Sequence, residues 1–133
     1  MLKRLFALLV FSLCAGTAAA ASDVIVVYLG TDDCPYCRHW EARAKRELLA
    51  FTEGKGVRYY EVKGETLRQP IVERHFPEEL KWLARRIGPS RGVPRFLLVV
   101  DGQLTRSVYG TNDYETVFLP ALRAALLRVQ ERA

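Results

Sequence analysis

Downstream of residue 21 the chain alternates between short unbroken apolar runs and stretches in which apolar residues recur every three or four positions. Residues 24–29, "VIVVYL", are a largely β-branched run with no charged break, the pattern of a strand covered on both faces. Trp40, Ala44, Leu48 and Phe51 then fall at spacings of four, four and three with charged residues between them, one face of a helix. Gly54-Lys55-Gly56 closes that helix, and residues 57–62, "VRYYEV", predict a second strand. Residues 77–88, "PEELKWLARRIG", predict a short helix. Pro77 suits its first position, Glu78 and Glu79 its positive end, Arg85 and Arg86 its negative end, and Gly88 its stop. Leu80, Leu83 and Ile87 mark the buried side. A third buried strand follows at residues 96–100, "FLLVV". Asp101-Gly102 is a two-residue hairpin turn, and residues 103–109 return as a fourth, antiparallel strand. Leu119, Leu122, Leu126 and Val129 predict a C-terminal helix, capped by Asn112 with Glu115 and either started late or kinked by Pro120.

The element order is therefore β-α-β-α-β-β-α, an α/β chain. Two strand–helix–strand crossovers call for parallel pairing, the hairpin adds an antiparallel edge, and helices should cover both faces of a mixed four-stranded sheet. Residues 64–76, "GETLRQPIVERHF", fit neither period and read as a surface loop, either a partner-recognition segment or a neutral insertion.

At 133 residues, half of them hydrophobic, the chain suffices for one domain around one core. Its first 21 residues follow another pattern. Lys3 and Arg4 precede an apolar run of ten, residues 5–14, and then "AGTAAAA", which offers A-x-A cleavage sites. A membrane span needs about 20 apolar residues, so we read residues 1–21 as a cleaved secretory signal and residues 22–133 as the mature domain. Removal of Lys3 and Arg4 leaves 18 basic against 15 acidic residues, a net charge of +3 with no basic run, and so no nucleic-acid footprint. The absence of heptads makes a monomer the default. Cleavage also removes Cys14, leaving Cys34 and Cys37 in a protein expected in the periplasm, where disulfides persist.

Those two cysteines lie in "TDDCPYCRHW", residues 31–40, directly after the first strand. A disulfide closing a two-residue gap removes little unfolded-chain entropy, which argues against a structural staple. A zinc site needs about four ligands, and only His39 and His75 could supplement the pair. Redox exchange fits better. Pro35 suits the first helical position, so the free backbone N–H groups and positive helix end should face the Cys34 sulfur and favour its thiolate. Cysteines so placed have pKa values lowered to about 3.5–7.5. Cys37, one turn deeper and more shielded, would resolve the mixed disulfide that Cys34 forms. Tyr36, between them, is the candidate exposed aromatic contact. Arg38 and His39 favour the thiolate while Asp32 and Asp33 oppose it, so the direction of electron flow stays open. His75 reads as structural and Trp82 as core.

The C-x-x-C after the first strand, "RGVPRF" (residues 91–96) before the third, Asp101-Gly102 between the last two and Gly110 after the fourth together resemble the thioredoxin superfamily. The resemblance spans nearly all of residues 22–133. It implies a thioredoxin-like sandwich, a cis Pro94 facing the cysteine pair, and Val93 as the residue whose backbone pairs with a bound substrate chain. It also implies a thiol:disulfide oxidoreductase with no cofactor beyond the Cys34–Cys37 disulfide. Its partners would be cysteine-containing exported proteins and an unidentified redox partner, expected in the membrane. Thioredoxins proper carry a buried Asp on the first of these strands, where this chain has Tyr28, so proton transfer at Cys37 must use water or another group. Cys-Pro-Tyr-Cys is similar to the motif of dithiol glutaredoxins and of exported Dsb-type proteins, and Val93 before Pro94 is similar to the Dsb oxidases. Two alternatives stand beside that reading. Gly110-Thr111-Asn112-Asp113 loosely resembles a glutathione-binding stretch, as in a glutaredoxin-like enzyme, and the cysteine pair could instead carry metal for metalloprotein assembly.

Overall fold

The structure, a computed structural model, describes residues 22–133; the expected signal segment, with Cys14, lies outside them. Strand β1 (Val24–Thr31) leads into helices α1 (Pro35–Arg43) and α2 (Lys45–Thr52), then strand β2 (Val57–Gly64). Two 3-10 turns (Glu73–His75 and Glu78–Leu80) precede α3 (Lys81–Ile87), and strands β3 (Arg95–Val100) and β4 (Gln103–Tyr109) form the hairpin. A C-terminal helical arm runs through α4 (Gly110–Asp113), a π turn (Tyr114–Phe118) and α5 (Leu119–Arg132).

The four strands form one mixed sheet in the order β2-β1-β3-β4, with helices on both faces. All eight residues of β1 are buried, which explains its unbroken apolar run. Val24, Val26 and Tyr28 point to one face, where Trp40, Leu48, Phe118 and Leu122 cover them. Ile25, Val27 and Leu29 point to the other, under Ile71, Phe76, Leu80 and Leu83. Asp101 (φ 50°) and Gly102 (φ 77°) make the hairpin turn, both in the left-handed region that tight hairpins require.

Three expectations need correction. First, β1 and β2 are parallel, but β3 runs antiparallel to β1, so only the first crossover is a parallel one. The register explains why. Gly64, the end of β2, lies opposite Thr31, while Arg95, the start of β3, lies opposite Leu29. The chain leaves and re-enters the sheet at the same end, and the pair Ile71–Ser90 ties the base of the excursion, so β3 must run backwards. Second, the single helix expected across residues 40–51 is two, parted at Ala44 (φ −97°). The ladder still passes through the joint, with Ala44 N–H donating to Trp40 O and Leu48 N–H to Ala44 O, so the apolar stripe stays on one side. Third, the C-terminal helix begins at Gly110, and Asn112 and Glu115 lie inside helical turns rather than capping it. Pro120 is accommodated by neither a late start nor a break. A proline ring crowds the carbonyl four residues earlier, here Thr116, and that residue lies in the π turn, whose wider winding gives the ring room.

Candidate active site

Cys34 is the N-cap of α1, and Pro35 occupies the first helical position, where its missing N–H leaves no bond unmade. Cys34 and Cys37 are joined in a disulfide. The Cys37 N–H donates to Cys34 Sγ at 3.0 Å, and that sulfur lies 3.8 Å from the carbonyl oxygen of Val93. The Val93–Pro94 peptide bond is cis. Gly110 N–H donates to Pro94 O at 2.8 Å, which pins the proline to the start of the helical arm. Four of the five residues singled out from sequence thus converge on one end of the sheet. Tyr36, the fifth, stands on the rim with 70% of its surface exposed. Exposure does not separate the two cysteines as expected: Cys34 retains 1% and Cys37 none. What separates them is the backbone. A sulfur at the N-cap sits against unsatisfied helix N–H groups, whereas one a turn further in does not.

The charges flanking the pair are tied down. Arg38 reaches back to donate to Asp32 O at 3.0 Å. Both carboxylate oxygens of Asp33 accept the Leu67 N–H, at 3.0 and 3.1 Å, so the 64–76 segment is docked beside the cysteine loop. His39 is exposed and outside this arrangement. His75 bonds Glu65 Oε2 at 2.8 Å and accepts the Val72 N–H, a local brace of the excursion. Trp82 packs against the core of the second face. Among the described residues no three His, Cys, Asp or Glu side chains converge on a metal-sized site.

Two constellations around the pair escaped sequence reading. Arg95, directly after Pro94, is buried and donates to Ser107 Oγ (3.0 and 2.8 Å) and Ser90 Oγ (2.9 Å) while lying over the Tyr109 ring. It fastens the loop that carries Val93 to the edge strand β4. On the other face, the fully buried Tyr28 donates its hydroxyl to Glu41 Oε1 at 2.8 Å, and Lys63 bonds the same Glu41 oxygen. Lys63 also lies 3.3 Å from Asp32 and 3.7 Å from Glu61. Gly30 makes this possible: a Cβ there would stand 2.2 Å from the Tyr28 hydroxyl oxygen. The signals were present but weak. Glu41 falls four residues after Cys37, and Gly30 two after Tyr28 on the same strand face.

No protein-family model matches the chain, and no curated protein matches it in sequence. Solved structures do match. Thioredoxin f from spinach chloroplast superposes with a TM-score of 0.51 at 25% identity, over 79% of this chain and 78% of its own. The germline-specific thioredoxin Deadhead from Drosophila melanogaster matches with a TM-score of 0.50 at 15% identity, over 74% and 79%. The periplasmic thioredoxin SoxS from Paracoccus pantotrophus matches with a TM-score of 0.49 at 16% identity, over 82% and 97%. With its mixed four-stranded sheet, helices on both faces and cysteine pair at the head of α1, the chain has the thioredoxin fold with a C-x-x-C disulfide.

Proposed function

We propose that the protein is an exported thiol:disulfide oxidoreductase of Dsb-like type that exchanges disulfides with cysteine-containing exported proteins. The observation that carries this is the placement of the Cys34 sulfur at the N-cap of α1, accepting the Cys37 N–H at 3.0 Å. Charge developing on that sulfur meets the helix's positive end, so Cys34 is the nucleophile and Cys37 the resolver. In reduction, the Cys34 thiolate attacks a client disulfide, one client sulfur leaves as thiolate, and a mixed disulfide forms. Cys37 then attacks Cys34, closing the ring and releasing the second client sulfur. Oxidation is the same path reversed. The Val93 carbonyl, 3.8 Å from Cys34, is the backbone group against which a client strand would lie, with Pro94 behind it and Tyr36 on the rim. Residues 1–21 would direct export to the periplasm and then be removed. A membrane redox partner would reset the pair, and the enzyme works as a monomer with no cofactor besides its disulfide.

One observation favours a second reading. The Gly110–Pro94 hydrogen bond brings Gly110-Thr111-Asn112-Asp113 to the edge of the site, where a glutathione-dependent enzyme would bind its tripeptide. One experiment separates the two. Cys37→Ser, expressed in an export-competent bacterium, should accumulate mixed disulfides with exported proteins that dithiothreitol releases and Cys34→Ser does not form. Adducts with glutathione alone would favour the second reading, and no adducts at all would dismiss both.

A further inference from the structure

Resting on the exchange chemistry proposed above, we infer that Arg95 is a positioning residue for client recognition. By bridging Ser90 and Ser107 it sets the Val93 backbone beside Cys34, and so gives the enzyme a preference for polypeptide disulfides over small ones.

A buried guanidinium is a poor space-filler. Arg95 keeps 8% of its surface exposed, and burial works against its charge. Its bonds among the described residues all go to uncharged partners. Nε and Nη2 donate to Ser107 Oγ at 3.0 and 2.8 Å, and Nη1 donates to Ser90 Oγ at 2.9 Å. The Tyr109 ring covers the group, its centre 4.7 Å from the guanidinium carbon. An apolar side chain would fill the same place with no charge to desolvate. What it could not do is hold two elements at once. The planar fork offers donors in fixed directions, and here they join the loop before β3, through Ser90, to the edge strand β4, through Ser107.

That loop needs the hold. Among the described residues, Arg91, Gly92 and Val93 make no backbone–backbone hydrogen bond. Open backbone is what an added client strand pairs with, but it is also the backbone most free to move. The loop is therefore fixed from its ends. At one end Gly110 N–H bonds Pro94 O at 2.8 Å. At the other, Ser90 pairs with Ile71 through both of its backbone groups, at 2.8 and 2.9 Å. Ile71 lies outside the four-stranded sheet, so that pair alone ties one loop to another. The bond from Arg95 ties Ser90 to the sheet itself. Between the two ends Gly92 (φ 143°) passes so near Tyr109 that a Cβ there would stand 3.1 Å from the ring, and this is the ring that covers Arg95. The consequence is selective. A small disulfide offers Cys34 a sulfur and no backbone, so its reaction does not call on Val93. A polypeptide offers both, and pairing with a fixed carbonyl loses less freedom than pairing with a loose one.

Two probes with one leaving group test this. The first carries 2-nitro-5-thiobenzoate on the cysteine of an extended peptide, the second carries it on 2-mercaptoethanol. In the reduced protein the Cys34 thiolate displaces thiobenzoate from either probe and forms a mixed disulfide, and the released colour gives the rate. The unaltered protein should react faster with the peptide. Arg95→Met should cut the ratio of the two rate constants by about five- to tenfold, roughly the worth of one backbone hydrogen bond. Arg95→Lys, which can reach one serine but not bridge two, should fall between them. Ser90→Ala removes only the bond to the loop and should move the ratio the same way, so it decides the matter if Arg95→Met does not fold. An unchanged ratio, including one in which both rates fall together as general damage would make them, overturns the assignment. So does an unaltered protein with no preference for the peptide. No colour from either probe would strike the oxidoreductase reading itself.

Discussion

At the scale of single residues, what matters is how much is fixed by a few side chains far apart in sequence. Tyr28 fills a buried strand position with an aromatic ring wedged 4.4 Å from Trp40 and 5.5 Å from Phe96, and its hydroxyl escapes burial's penalty only through Glu41. The ring reaches Glu41 by passing over Gly30. Gly30→Ala sets a methyl 2.2 Å from the Tyr28 oxygen, and neither the ring, hemmed by Trp40 and Phe96, nor the strand beneath it can give way freely. We expect a loss of about 1–3 kcal/mol in denaturant unfolding, the usual cost of overpacking, partly recovered in Gly30→Ala/Tyr28→Phe. A loss below about 0.5 kcal/mol, within the range of an ordinary surface substitution, would show that the ring is not held where the structure places it. The placement of Cys34, Pro35 and Cys37 at the head of α1, from which their roles are proposed, follows one local rule, that a helix N-terminus offers free N–H groups, and so could be read from ten residues. The Glu41 arrangement needs two strands, β1 and β2, and the helix α1 to be placed first, and so could not.

At the scale of elements, legibility followed burial. Strand β1 is buried on both faces and reads as an unbroken apolar run, and the Asp101-Gly102 turn demands positive φ at both positions, so strand and hairpin were plain. The direction of β3 was not. It depends on where the chain re-enters the sheet, set by the Ile71–Ser90 pair and by the docking of Leu67 on Asp33, contacts that leave no periodic trace. Nor was the π turn at Tyr114–Phe118, since Pro120 signals only that the ladder must yield, not how. The Asn112–Glu115 cap failed for a related reason. A capping pattern is a local preference, and here Gly110, bonded to Pro94 O, starts the helix two residues earlier. Arg95 reads in sequence as an ordinary charge beside a proline; only the fold reveals that it is buried between two serines.

At the scale of the molecule, the sheet supports two unequal halves. One carries the cysteine pair and the aromatic cluster of Trp40, Phe96, Tyr114 and Phe118. The other carries the 64–94 excursion, braced on its outside by Glu65, His75 and Arg74. The Glu65 carboxyl is lowered to about 2, first by His75 and then by Arg74. A carboxyl depressed in the folded state contributes stability above its unfolded value, about 4.3, and loses it as pH falls through the folded one. Melting temperature should therefore be level above about pH 5 and fall toward pH 2, less steeply in Glu65→Gln; superimposable curves would remove this brace from the stability of the fold. The central claim is that Cys34 and Cys37 form a reversible redox pair. The most direct test is to equilibrate residues 22–133 with graded ratios of reduced and oxidised glutathione and count free thiols by mass spectrometry. A single reversible two-electron transition should appear, with a midpoint between about −270 mV, as in thioredoxin, and about −120 mV, as in strong disulfide donors. A pair that stays oxidised or stays reduced across the whole range would contradict the claim.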